Sequence, residues 1–245
     1  MNKIKLSILG VLFFTVTSSI FYSCSNEEKG ISEDSELKSY SNIKIGEFTS
    51  GEIGIIHNKV LQSLSDKGKL KGSQKEIIFI LSKANIDKRI SNLDIEKSTN
   101  QLYQSKIFIS STNIQSKQSS ISKLQEETLE YLISELEISS KAKEKIDYLS
   151  NLGLVDINSM KEETNSLLNS IEYTDKEKQY FAVYTSIYEN SKLFWGSKYQ
   201  NKSSKLQKVQ RVAPYAADAT GAILGLYGGP VWSIIQGALL SAAFD

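Results

Sequence analysis

The chain has almost none of the residues on which disulfides and zinc sites depend, with one cysteine and one histidine among 245 residues. A single cysteine forms no disulfide within the chain, and one histidine with one cysteine is too small a ligand set for zinc. Proline is also scarce, with two residues, beside 14 glycines. Because loop-rich β-proteins need many turns built on these two residues, this composition favours helices.

Neither sign of charge dominates, since 29 Lys and Arg stand against 28 Asp and Glu. A net charge near zero gives no electrostatic reason to expect nucleic acid as a partner. The 40% hydrophobic fraction is enough for a folded core and makes wholesale disorder an unsuitable description. The length fits one domain of ordinary size, or one domain with appendages.

Known catalytic motifs are missing from the sequence: there is no Gly-x-Ser-x-Gly elbow, Walker loop or dinucleotide-binding glycine fingerprint. His57 lies five residues after Glu52, a spacing that does not put the two on one helix face. His57, beside Asn58, is therefore predicted to be a capped or surface residue rather than a base. The acidic pairs at 126–127 and 162–163 are predicted to be solvated helix faces. We therefore predict no catalytic residue, cofactor or metal, with an unrecognised hydrolase as the alternative.

The first 24 residues have the order of a secretory signal. Lys3 and Lys5 precede an apolar stretch over 6–20, which has the length of a signal-peptide core and is short for a membrane span. The only cysteine, Cys24, follows directly in Phe21-Tyr22-Ser23-Cys24. That sequence resembles a bacterial lipobox, with bulkier residues than usual at 21 and 22, and an ordinary signal peptide or N-terminal anchor is the alternative.

The lipobox resemblance implies that residues 1–23 are removed and that Cys24 carries diacylglycerol, with a further acyl chain such as palmitate on the new amino terminus. Two or three acyl chains anchor a protein stably, whereas one chain binds reversibly. Residues 24–46 are then the lipidated cysteine and a flexible tether. The acidic stretch after Cys24, Ser25 to Lys29, resembles the signal that sends lipoproteins of Bacteroidota-type bacteria to the cell surface, and a plain charged tether is the alternative. The predicted location is the cell envelope, at the outer membrane.

Apolar residues recur at helical spacing between residues 47 and 211, which predicts a bundle of about six helices and an all-α fold. Ser50 is predicted to cap the first helix. An amphipathic helix is predicted over 121–138, with a continuation through Leu149 to a stop near Gly153 as the longer alternative. Asp156 is predicted to cap the next helix. Thr174 and Glu177 have the spacing of a capping box ahead of a run of aromatic residues, which is predicted to be core.

The C-terminal segment, 212–245, has no charged residue between 219 and 244. Small residues recur there at every fourth position, which predicts a glycine-zipper-like packing ridge on a helical hairpin broken at 228–230. The ridge consists of Ala217, Gly221, Gly225, Gly229, Ser233, Gly237 and Ser241. Three arrangements stay open from the sequence: a hairpin buried against the bundle, a hairpin that inserts into a membrane, and a single spanning helix.

This tail resembles, in composition, the glycine-zipper ends of helical bacteriocin-like peptides. Together with the pair His57-Asn58 in an early helix, it also resembles the Ala/Gly-rich C-termini of uncharacterised Bacteroidota-type lipoproteins, a resemblance that implies no activity. The predicted function is that of a lipid-anchored envelope protein with a binding or structural role, whose partner is membrane lipid through acylated Cys24. The alternative is a membrane-active, bacteriocin-like protein in which the hairpin makes a second membrane contact.

Overall fold

The computed structural model describes residues 39–70, 72–104, 131–198 and 212–244, with the backbone alone at 212, 213 and 241–244. The described part of the chain is helical apart from two strands of two residues each, so the predicted all-α fold is confirmed. The helices are α1 (Ser50–Asp66), α2 (Gln74–Ala84), α3 (Asn92–Gln104), α4 (Ser140–Val155), α5 (Ile157–Asn169), α6 (Asp175–Lys198), α7 (Val212–Gly225) and α8 (Pro230–Phe244). In the described ranges, none of these helices is both long and apolar enough for a transmembrane span.

The N-terminal edge of the body begins earlier than the sequence indicated. The tether was predicted to reach residue 46, but a 3-10 turn at Tyr40–Asn42 and a small antiparallel hairpin already belong to the body. That hairpin pairs β1 (Lys44–Ile45) with β2 (Phe48–Thr49). Tyr40 is buried and donates a hydrogen bond to Glu189 of α6, 2.5 Å away. The tether prediction erred because burial of this one aromatic ring depends on a contact with a distant helix.

Side-chain caps explain where several helices begin. Thr49, not Ser50, is the N-cap of α1 and forms a capping box with Glu52; the hydroxyl of Ser50 is buried and donates to the carbonyl of Tyr40. The predicted cap at Asp156 is confirmed, since its carboxylate accepts from two backbone N–H groups in the first turn of α5. The predicted capping box before α6 is confirmed too, with Glu177 N–H donating to the Thr174 hydroxyl at 3.2 Å.

The longer alternative for the helix predicted from Ile121, a continuous helix to Gly153, is wrong. Residues 105–130 lie outside the described part, a helical turn covers 131–134, and α4 begins at 140 with Ser139 as its N-cap. The helix also continues to Val155 instead of ending near Gly153. At Gly153 an added Cβ atom would lie 2.7 Å from both Met160 and Tyr188, so this glycine serves close packing between helices rather than helix termination.

The C-terminal hairpin lies at the centre of the body. Helix α7 packs along α8 and against α6, and α8 also contacts α1 and α3. Every residue over 214–223 and over 233–240 is buried, so both helices are covered around their circumference. The predicted break is confirmed: α7 ends at Gly225, a 3-10 turn covers Leu226–Gly228, Gly229 has φ +99°, and α8 starts at Pro230. A left-handed backbone followed by proline ends one helix and starts another.

Candidate functional site

His57 is fully buried on α1, so of the two predicted alternatives, a capped residue or a surface residue, the surface position is wrong. Its Nε2 atom lies 3.1 Å from Oδ1 of Asp218, and its Nδ1 atom lies 3.3 Å from Oδ1 of Asn58. Both ring nitrogens therefore face acceptor oxygens, and a ring that carries both protons would donate to each. The imidazole is held in one orientation by these two neighbours.

Asp218 connects three helices from its position on α7. Its Oδ1 faces His57 of α1, and its Oδ2 accepts a hydrogen bond from the indole Nε1 of Trp195 on α6 at 2.8 Å. All three side chains are 0% exposed. A buried carboxylate costs several kcal/mol in desolvation unless donors surround it, and this one has a donor at each oxygen. We refer to His57, Asp218 and Trp195 as the polar triad.

The crossing of α1 and α6 beside the polar triad is unusually close. A Cβ atom at Gly54 would lie 2.5 Å from the Ser186 hydroxyl and 2.7 Å from the Ser186 carbonyl oxygen. The Asn58 amide Nδ2 donates to the carbonyl of Asn190 at 2.7 Å. Glycine thus allows the backbones to approach, and the asparagine binds one helix to the other.

The small-residue ridge lies mostly on the facing sides of α7 and α8. A Cβ atom at Gly221 would lie 2.9 Å from the carbonyl oxygen of Gln236, and one at Gly225 would lie 2.7 Å from Cα of Ser233. From the other helix, a Cβ atom at Gly237 would lie 2.8 Å from the carbonyl oxygen of Asp218. These three glycines permit contact between the two backbones that no larger residue allows.

The other ridge positions differ in their surroundings. Ala217 is fully buried, whereas Gly229 forms the turn and has nothing within 4 Å of where a Cβ would be. Ser241 lies in the last turn of α8, where the structure describes the backbone alone. Gly237 also lies against the polar triad, since its added Cβ would be 3.2 Å from Cδ2 of His57. The ridge and the triad are therefore adjacent parts of one packed centre.

The aromatic run of α6 forms much of the core around this centre. All residues over 180–188 are buried, and the rings of Tyr188 and Tyr215 meet edge to face at 5.9 Å. Burial raises the pKa of Tyr184 to about 12 and raises the pKa of Tyr188 as well, because the phenolate is poorly solvated there. These hydroxyls stay protonated at physiological pH and act through packing.

His57 and Asp218 have the residue types of a catalytic His–Asp dyad, but neither side chain is accessible to a substrate. A general base must come within hydrogen-bond reach of a substrate proton, and His57 is enclosed by α1, α7 and Gly237 of α8. In the described ranges no group of three or more His, Cys, Asp and Glu side chains is placed to hold a metal ion. What the triad can do chemically is fix the α7–α8 hairpin to α1 and α6.

Some sequence-predicted features lie outside the described residues, among them the signal peptide, Cys24 and the acidic pair at 126–127. Sequence reasoning missed Asp218 and Trp195. The available signal was that Asp218 is the sole charged residue over 214–240, a strongly apolar segment in which a carboxylate requires a buried partner.

Comparisons of the chain with protein-family models, with curated proteins and with solved structures give no match.

Proposed function

We propose that this chain is a lipid-anchored protein of the bacterial cell envelope whose helical body has a binding or structural role. The observation that carries the proposal is the position of the single cysteine, Cys24, just beyond an apolar stretch over 6–20 that follows Lys3 and Lys5. Modification of Cys24 would attach the body to lipid through the residues between 24 and 39. Two or more acyl chains would make that attachment stable.

The interior of the body supports a non-enzymatic role. Its one histidine is used within the polar triad, where both ring nitrogens already face protein oxygens. Its tyrosine hydroxyls on α6 are buried in the core. The histidine and the tyrosines of α6 are thus used in the packed interior rather than presented to a substrate.

Metabolic labelling with an alkyne analogue of palmitate tests the anchor. We expect the wild-type chain to take up label and to sediment with membranes, and the Cys24→Ser variant to lose both properties. Ser25→Ala is the matched control and should behave as wild type, because the neighbouring hydroxyl has no part in the acylation. An unacylated amino terminus on the wild-type protein, measured by intact mass, would refute the proposal.

A second candidate function is membrane insertion of the α7–α8 hairpin, favoured by its burial around the whole circumference. Helices that are apolar on nearly every side are stable within a core or in lipid. Asp218 of α7 is the exception, and insertion would separate it from His57 and Trp195. The two helices have 14 and 15 residues, or about 21–23 Å at 1.5 Å per residue, which is less than the roughly 30 Å of a bilayer core. The hairpin would therefore enter as a re-entrant element with its turn leading.

Release of a trapped dye from anionic vesicles tests this candidate. Tyr227 is 46% exposed in the turn, so Tyr227→Glu would bring a charge into the lipid at a cost of about 2–3 kcal/mol and should suppress release. Tyr148→Glu, at a 45% exposed site on α4, is the matched control and should leave release unchanged. Vesicles that stay intact with the wild-type chain would exclude membrane activity without affecting the anchor proposal.

A further inference from the structure

Helix α2 has more apolar surface than its packing uses. It contains five consecutive apolar residues, 77–81, which together cover the full circumference of a helix at 100° per residue. Ile77 and Leu81 are buried at 1% exposure, as expected of the face toward the body. Phe79 is instead 65% exposed. Phe79 is thus a large aromatic side chain left uncovered on the outer face of α2, and what it lines decides whether the exposure has a use.

Phe79 lines a cleft of about 700 Å³ between the outer face of α2 and the C-terminal end of α1. On the α2 side, Ile80 and Ala84 continue the apolar wall, and Lys83 stands at its edge. Lys67, just after α1, lies on the opposite side. The volume is within the range of small-molecule sites, which are largely apolar with a few polar groups that orient the ligand.

The charges around the cleft differ in whether they are already neutralised. Lys69 is paired with Glu76 at 2.6 Å, and this contact together with hydrogen bonds from Ser73 lowers the pKa of Glu76 to about 2. Asp66 accepts a hydrogen bond from the side chain of Gln62, an uncharged amide that does not neutralise the carboxylate. Among the residues that the structure describes, Lys67 and Lys83 form no ion pair. Within the described part of the chain, the cleft therefore combines an apolar wall with two unpaired lysines and one unpaired carboxylate, Asp66, so its unpaired cationic groups outnumber the acidic one.

We propose that this cleft binds a small anionic amphiphile, a carboxylate with an alkyl tail. The tail packs on Phe79, Ile80 and Ala84, and the carboxylate pairs with Lys67 and Lys83. A concave site suits a single molecule, whereas a membrane surface is contacted by a convex apolar face with cations at its rim. The proposal does not depend on the lipid anchor at Cys24 or on the fate of the hairpin.

Photolabelling tests the site on the full chain in lipid nanodiscs. The probe is decanoic acid carrying a diazirine, and the readout is the modified tryptic peptide that spans 76–83. We expect an excess of unlabelled decanoate to reduce the photolabelling of this peptide. The same excess of decanol or decylammonium should leave the photolabelling unchanged, because the site requires a negative head group. Equal competition by all three amphiphiles would overturn the proposal in favour of nonspecific apolar adsorption.

Variants separate the two halves of the site. Phe79→Ser should raise the decanoate concentration for half-maximal labelling about tenfold, the effect of losing one buried aromatic contact. Lys67→Glu should raise it about threefold through loss of an exposed charge pair. The controls are Ile171→Ser at a 99% exposed position and Lys97→Glu on α3, which should not change it. The proposed site would be refuted if the wild-type 76–83 peptide took up no photolabel. It would also be refuted if Phe79→Ser kept normal labelling and instead lost binding to lipid vesicles, measured by co-sedimentation.

Discussion

Gly221→Ala measures how closely α7 and α8 approach, because one added methyl group has two opposing effects. In the interior of a helix, alanine is more favourable than glycine by up to about 1 kcal/mol. At Gly221, however, the new Cβ would lie 2.9 Å from the carbonyl oxygen of Gln236 and 3.1 Å from Cα of Gly237. These are backbone atoms, so the clash is relieved only if the two helices separate. Overpacking of this kind costs about 1–3 kcal/mol, and the net expectation is destabilisation by about 1–2 kcal/mol.

Gly196→Ala is the matched control for this substitution. Gly196 also lies within a helix, α6, but nothing is within 4 Å of the place where its Cβ would be. Only the propensity gain remains, so this variant should be more stable than wild type by up to about 1 kcal/mol. Because about 1 kcal/mol shifts Tm by roughly 2–4 °C in a chain of this size, the two variants should move Tm in opposite directions. Calorimetry or circular dichroism melting measures this, and an equal rise in both would show that α7 and α8 are not in backbone contact.

Two further predictions concern the polar triad and the acidic cap of α6. Asp218→Asn places an amide N–H₂ group opposite a donor on His57 or Trp195, and should lower the free energy of unfolding by about 2 kcal/mol. Asp147→Asn, at an exposed site on α4, is the control and should change it by less than about 0.5 kcal/mol. Urea titrations measure both. Burial raises the pKa of Glu177, but hydrogen bonds from Ser139 and Thr174 outweigh that effect and lower it from 4.5 to about 2. A lowered carboxyl pKa stabilises the fold above the unfolded-state value, and that contribution is lost as pH falls from about 4.5 to 2. Glu177→Gln should therefore reduce Tm at neutral pH. Between pH 4.5 and about 2, its Tm should fall less steeply than that of the wild type or of the control Glu162→Gln. Parallel curves of Tm against pH for all three proteins would contradict the capping role.

The sequence alone predicted the features that depend on a few neighbouring residues. The helical class, the capping box of Thr174 and Glu177, the cap at Asp156 and the break before Pro230 were all predicted correctly. Each of these depends on contacts within about four positions, since a cap satisfies N–H groups of the next turn and proline blocks the preceding one. Such signals can be inferred from spacing without knowledge of the tertiary fold.

The tertiary structure decided which polar and aromatic residues are buried. His57 and Asp218 are 161 positions apart, so no local pattern could show that they meet or that Trp195 completes the triad. Tyr40 likewise joins the body through Glu189, which is 149 positions away. By sequence alone the strongly apolar hairpin could equally have been a membrane element. Its place at the centre follows from glycine-permitted contact between α7 and α8, and from the Asp218 carboxylate of α7, whose two partners lie on α1 and α6.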